Sequence, residues 1–299
     1  MSASGKGRIS GEEYQFFSQK MCVLLTLTVA ATIMFPKGRL TAADGRLVGG
    51  YMRIIISPAK KMNTDTDSFL CRDLPRFLPR TEQLKRRMQE MSYEELKALW
   101  KCNDRIAGMN LERLRTMDLY HGLTPAILSY EGIQYQYMAP GVFTAGELEY
   151  IQEHLRILSG FYGVLRPFDG VTPYRLEMQA KLQIGNAKDL YSYWGDRIAE
   201  AIFRESDCIL DLASREYSRC VSAFLNEKVR MISCRFCQRV NGKLTEKGTL
   251  CKMARGEMVR FMAEERVELP ERVKKFDRLG YRYDAEESSG TVYTFIQEV

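Results

Sequence analysis

Residues 155–178, LRILSGFYGVLRPFDGVTPYRLEM, set Arg156, Tyr162, Arg166, Asp169, Tyr174, Arg175 and Glu177 among Gly160, Gly163, Gly170, Pro167 and Pro173. Arginine offers a planar fork of donors to a phosphate, and tyrosine offers a flat face with a hydrogen-bonding tip. Two later segments carry the same chemistry: LASREY, residues 212–217, after a predicted strand, and CKMARGEMVRF, residues 251–261, with Lys252, Arg255 and Arg260. Polar residues just past the C-terminal end of a strand are where open α/β sheets place ligands. The pattern suits an anionic or planar ligand, with Glu177 as general acid/base and Glu216 or Asp169 as further candidates, Arg175 and Arg255 holding a phosphate and Tyr174 orienting a base. It suits equally a surface loop closed by internal ion pairs, Arg166 to Asp169 and Arg175 to Glu177.

A second stretch, KCNDRIAGMNLERLRTM at residues 101–117, reads as two short helices about a hinge, Ile106-Ala107-Gly108-Met109-Asn110. Glycine takes a positive φ freely and asparagine tolerates it next best. A chain reversing there would turn free N–H groups and the positive end of a helix dipole outward, a surface suited to phosphate. Lys101, Arg105, Arg113 and Arg115 lie within one or two turns. Taken alone, the stretch fits an ordinary αα-hairpin better, since a lone glycine between helices is common; the second glycine usual in a phosphate-gripping hairpin is replaced here by Asn110, which weakens the motif without excluding it.

Other chemistry finds less support. Cys234-Arg235-Phe236-Cys237 has the spacing of a zinc or redox pair, but in a predicted strand residues three apart face opposite sides. Zinc would need two further ligands, and only Cys251 is near in sequence. His121 and His154 are the two histidines and lie far apart. No metal and no cofactor is expected, and no phosphate-binding loop, dinucleotide fingerprint or nucleophile elbow is present. A thiol sensor built on Cys234 and Cys237 is the remaining redox alternative.

The elements that must position these residues begin at Met52. From there short apolar strands alternate with amphipathic helices, giving an α/β (mixed α+β) class with one large domain over residues 52–299. Strands are expected at 53–57, 208–212, 229–234, 281–284 and 291–296. Helices are expected at 81–91, 92–101, 111–117, 145–154, 188–204, 251–265 and 270–275. Ser92 with Glu95, and Thr144 with Glu147, form capping-box signatures.

The chain of 299 residues is 45% hydrophobic, enough for a sizeable core. Its net charge of +6 divides evenly between residues 1–51 and the rest, so anion binding in the body depends on local clustering. Eight scattered cysteines read as reduced thiols of a cytoplasmic protein. Within residues 1–51, the apolar run 21–35 is short for a membrane span, and its flanks do not suit a secretory signal. The segment is expected to be a non-native or unstructured upstream extension, ahead of a signal or anchor and of a docked helix.

Several of these motifs, in this order, resemble the YaaA family of bacterial peroxide-stress proteins. They are Ser57-Pro58-Ala59-Lys60, Asp104 through Asn110, Leu158 through Pro167, Pro173 through Met178, Leu212 through Tyr217, and Ala254-Arg255-Gly256. The resemblance runs from Met52 to about Gln297. It implies a cytoplasmic protein that helps cells survive hydrogen peroxide by keeping iron low and limiting oxidative DNA damage. It also implies a single domain with a helix-hairpin-helix element beside a basic cleft, and binding to duplex, bubbled or single-stranded DNA as a monomer without stable membrane association. Under it, Lys101, Arg105, Ile106 through Asn110 and Arg113 become the DNA clamp. Ser57, Lys60, Arg166, Tyr174, Arg175, Glu177, Lys188, Tyr217, Lys252 and Arg255 become cleft residues, and Tyr174, Trp194 and Tyr217 become base-stacking candidates.

Overall fold

Three consecutive isoleucines make strand β1, Arg53–Ile56, which is buried along its whole length as expected of a strand inside a parallel sheet. The computed structural model describes residues 52–298, so the expectations for residues 1–51 lie outside the described residues. The other strands of the main sheet are β2 (Leu155–Ser159), β3 (Gly163–Leu165), β4 (Cys208–Leu212), β5 (Arg230–Val240), β6 (Lys243–Thr245), β7 (Tyr281–Asp284) and β8 (Val292–Glu298). They form one eight-stranded mixed sheet in the order β7-β8-β5-β4-β1-β2-β3, with β6 paired to β5. The five strands β8, β5, β4, β1 and β2 run parallel, while β7, β3 and β6 pair antiparallel at the margins.

This order creates a switch point. The chain leaving β1 returns to the sheet on one side as β2, whereas the chain leaving β4 returns on the other side as β5. Between the carboxyl ends of β1 and β4 the connections diverge, and a crevice opens there.

The flanking helices are α1 (Leu78–Gln89), α2 (Tyr93–Trp100), α3 (Asp104–Thr116), α4 (Ile133–Met138), α5 (Ala145–His154), α6 (Leu190–Trp194), α7 (Arg197–Phe203), α8 (Arg215–Ser222) and α9 (Gly248–Glu264). Both expected capping boxes form, Ser92 with Glu95 at α2 and Thr144 with Glu147 at α5. The helix expected across 188–204 is divided into α6 and α7 by Gly195, which stands at φ +52°. Gly256 lets α9 lie against the backbone of α4, where a Cβ would run into the carbonyl oxygen of Gln134. Among the described residues no helix is long and apolar enough to cross a membrane.

Two expectations need correction. No strand is expected over residues 155–165, yet they are the hairpin of β2 and β3, and β2 is a buried strand beside β1. The hinge at Ile106–Asn110 is not a turn either, because α3 runs unbroken through Ile106, Ala107, Gly108, Met109 and Asn110. The helix starts earlier than expected because the Asn103 side chain accepts the N–H of Ile106 at 3.0 Å, a cap that the glycine signal obscured. Asn110, far from leaving the helix, is buried and donates its amide to the carbonyl of Ile106 one turn back. The reversal occurs at Lys101–Asn103, with Lys101 at φ 47°. An αα-hairpin of α2 and α3 is therefore present, but the helix-hairpin-helix element hinged on Gly108 is not.

Candidate functional site in the switch-point cleft

The crevice beyond β1 and β4 is a cleft of about 520 Å³. One wall is the segment after β1, Ser57 to Lys61, and it faces Tyr174 to Glu177. Ser214, Glu216 and Tyr217 at the start of α8 also line it, and Lys252 and Arg255 form a wall from α9. Glu131 and the start of α4 close the remaining side.

The turns after the two parallel strands are tied to each other. Ser214 donates its N–H to the Ser57 hydroxyl at 2.8 Å, and that hydroxyl donates to Ser214 Oγ at 3.2 Å. Tyr135 donates to the carbonyl of Ser57 at 3.0 Å, which fixes α4 to the same turn. Two serine oxygens are thereby held at the mouth of the switch point.

The charges are sorted by wall. Lys60 approaches Glu177 at 2.9 Å, Arg175 lies 3.6 Å from the same carboxylate, and Lys61 pairs with Glu131 at 2.5 Å. The expected Arg175 to Glu177 ion pair is thus present, with Lys60 as a third member. Glu216 accepts the N–H of Gln179 at 3.1 Å, and burial, reinforced by the charge of Glu177, raises its carboxyl above the ordinary glutamate range. On α9, among the described residues, neither Lys252 nor Arg255 has a carboxylate within 4.0 Å, and Arg255 Nε is enclosed without a hydrogen-bond partner. Arg255 acts electrostatically on Asp211, but that carboxylate already accepts from Ala213 N–H and from the Ser218 and Ser233 hydroxyls.

The structure brings together eight of the cleft residues expected from sequence: Ser57, Lys60, Tyr174, Arg175, Glu177, Tyr217, Lys252 and Arg255. Arg166 and Lys188 are elsewhere. The antiparallel return of β3 carries Arg166 to the opposite end of the sheet, where it stands 3.6 Å from Asp73 in a separate cavity with Arg76, Arg156, Asp169 and Glu205. Asp169 goes with it. Its carboxylate accepts the backbone N–H of Arg166 at 2.8 Å, and burial pushes its pKa up to about 7. Lys188 is exposed in the loop before α6 and does not line the cleft.

The aromatic candidates are already engaged. Tyr174 is buried, stacks on Phe161 at 4.8 Å and shares its hydroxyl with Tyr130 at 2.9 Å and Ser159 at 2.7 Å, so its ring is part of the core. Trp194 donates to the carbonyl of Gly160 and packs on Phe77. Tyr217 borders the cleft with its ring largely buried. None of the three offers a free face for a base.

Of the hairpin residues, Lys101, Arg105 and Met109 are exposed, while Ala107 and Asn110 are buried. Arg113 donates to the carbonyl of Met62, so it braces α3 against the segment leaving the cleft wall. Asp104 lies in the first turn of α3 and pairs with Lys97 at 2.7 Å, which offsets the positive end of that helix. The hairpin still adjoins the cleft, because Arg175 donates Nε to the carbonyl of Trp100, the last residue of α2. Lys61, Glu131 and Tyr135 were missed from sequence: Lys61 and Glu131 meet only through a two-residue strand pairing 70 residues apart, and the six-residue helix after Gly132 is too short to show a period.

The sequence matches the family described as peroxide stress protein YaaA over residues 52–287. It is 54% identical over 248 residues to a protein of Agathobacter rectalis named UPF0246 protein, a match covering 83% of this chain and all of that one. A UPF0246 protein of Lachnoclostridium phytofermentans is 53% identical over 246 residues, 82% of this chain and 96% of its own length. One from Lactiplantibacillus plantarum is 49% identical over 247 residues, 83% and 100% respectively.

Proposed function

The chain belongs to the YaaA family of peroxide stress proteins, and from that premise we propose that it acts in the cytoplasm by binding DNA, drawing a strand into the switch-point cleft by its phosphates. The observation that carries this reading is the surplus of charge in the cleft: five cations against three carboxylates, in a body that is only mildly basic elsewhere. Phosphate contacts position a strand without reading its bases, so the binding has low sequence specificity. The α2–α3 turn, joined to the cleft through Arg175 and Trp100, adds Lys101 and Arg105 as outlying contacts. In this reading protection is exerted at the DNA, and any effect on the iron level follows indirectly.

A second reading, an enzyme acting on a nucleotide or flipped base with Glu177 as general acid/base, draws on the same cleft. Glu177 is clasped by Lys60 and Arg175, which favours a positioning role for it. Glu216, desolvated and, among the described residues, without a cation at ion-pair distance, is the better carboxylate for proton transfer.

Fluorescence anisotropy of the full chain with duplex, bubbled and single-stranded DNA tests the first reading. The double variant Lys252→Gln, Arg255→Gln should lose at least about tenfold in affinity, since hydrogen bonds to charged groups contribute roughly 1.5–3 kcal/mol each. Lys101→Ala, Arg105→Ala should lose only a few-fold. Absence of binding by the native chain, or native affinity in the cleft variant, would overturn it.

A further inference from the structure

We infer that the cleft is a site for a phosphate monoester of a nucleotide, one terminal or free nucleotide unit whose phosphate sits between Lys252 and Arg255 and faces Ser57 and Ser214. This deepens the DNA-binding reading and rests on it only for the larger ligand to which that nucleotide belongs.

Size is the first argument. A cavity of about 520 Å³ falls within the range of small-molecule sites, roughly 300–1,000 Å³, the scale of a nucleotide and not of a duplex. A single nucleotide unit fits within it, with the rest of a strand outside.

Charge is the second. Lys60 and Arg175 share Glu177 and Lys61 pairs with Glu131, which leaves one positive charge to set against Glu216, while Lys252 and Arg255 have no carboxylate at ion-pair distance among the described residues. The cleft therefore holds a surplus of two positive charges. A phosphodiester brings one negative charge, whereas a monoester brings about −1.5 to −2 near neutral pH. The monoester is the better match.

An unmet donor points the same way. Among the described residues the enclosed Arg255 Nε has no acceptor, so the guanidinium of a cleft-lining residue is not tied down there by the protein. Lys252 and Arg255 are three residues apart on α9, so they share a face of the helix and both line the cleft. The serine hydroxyls tied across the turns after β1 and β4 complete a polar ring around the same space. Radical attack on deoxyribose breaks strands and leaves phosphate monoesters at the ends, so damaged DNA and free nucleoside monophosphates are the two sources of this chemistry.

The test compares the full chain binding to fluorescent single-stranded oligonucleotides that are identical except for a terminal phosphate or hydroxyl. A nucleoside monophosphate and its parent nucleoside serve as competitors. The phosphorylated strand should bind about tenfold or more tightly, and the monophosphate alone should compete. Arg255→Gln should bring the ratio close to one. Lys252→Gln, at an exposed position where folding is not at stake, should reduce it several-fold. Equal affinity for the two ends in the native chain, or a full preference in both variants, would overturn the inference while leaving DNA binding intact. Binding of the monophosphate, measured directly by calorimetry, without binding of either strand would support the inference and sink the DNA-binding reading instead.

Discussion

A carboxyl group in the wrong surroundings is a measurable quantity, and Asp169 is the clearest case. It is buried beside Asp73, with one backbone N–H as its hydrogen-bond donor, and burial lifts its pKa from the ordinary aspartate value to about 7. In the folded chain it holds its proton over a range in which the unfolded chain has lost it, so its contribution to stability is fully present below about pH 4 and disappears as pH rises through about 7. Asp169→Asn keeps an acceptor for the Arg166 N–H and removes the titration. The stability of the native chain relative to this variant should fall between pH 4 and 7, by at most about 4 kcal/mol, and stay level above pH 8. Parallel denaturation curves for the two proteins across that range would show that Asp169 ionises as it does in water. The same reasoning applies to the thiols with a different outcome. Burial raises Cys220 to about 12 and Cys234 further, and it raises Cys237 and Cys251 as well, so none of these is the ready thiolate that peroxide attacks. A sensor built on Cys234 and Cys237 is disfavoured for that reason and because adjacent positions of β5 alternate between opposite faces.

The decisive element is α3, since a glycine in a hinge and a glycine in a helix respond oppositely to a methyl group. Gly108 lies in the middle of α3, away from the left-handed region, and a Cβ there would meet nothing within 4 Å. Gly108→Ala should therefore stabilise the chain by about 0.5–1 kcal/mol, a rise of roughly 1–4 °C in Tm. A fall in Tm would restore the hinge. The contrast shows what sequence could and could not convey about this fold. The isoleucines of β1, the boxes opening α2 and α5, and the apolar rhythm of α9 were legible because propensity and tertiary packing agree there. The β2 strand was not, because the glycines and prolines that follow it signal irregular chain while its own LRILS is held by pairing with β1, a contact about 100 residues distant. For the cleft, residues placed just past β1 and β4 or on one face of α9 were found by simple rules. Arg166 was misplaced because nearness in sequence to Tyr174 says nothing about the reversal of β3, which decides the end of the sheet a side chain occupies.

At the scale of the whole molecule, the question is whether DNA would be held by a general field or by a local one. The body carries a net charge of only +3 over residues 52–299, so a diffuse field supplies little attraction at physiological salt, where charges are screened beyond about 8 Å. Binding must then depend on the few cations able to displace counterions from phosphates. Of the five in the cleft, Lys60, Lys61 and Arg175 already have carboxylate partners, which leaves Lys252 and Arg255 there and Lys101 and Arg105 at the neighbouring turn. Two to four phosphate contacts on a single strand correspond to a slope of roughly −1.5 to −3 in log K against log salt. Replacing Lys252 and Arg255 by glutamine should make that slope shallower by about one to two, and the loss should be alike for unrelated sequences. A slope much steeper than −4, or one indifferent to both residues, would place the contacts on another face of the molecule. A slope of the expected size that these two residues control would assign the grip to the crevice between β1 and β4, where the divergence of the chain after two parallel strands leaves room for one nucleotide and two unneutralised cations to receive it.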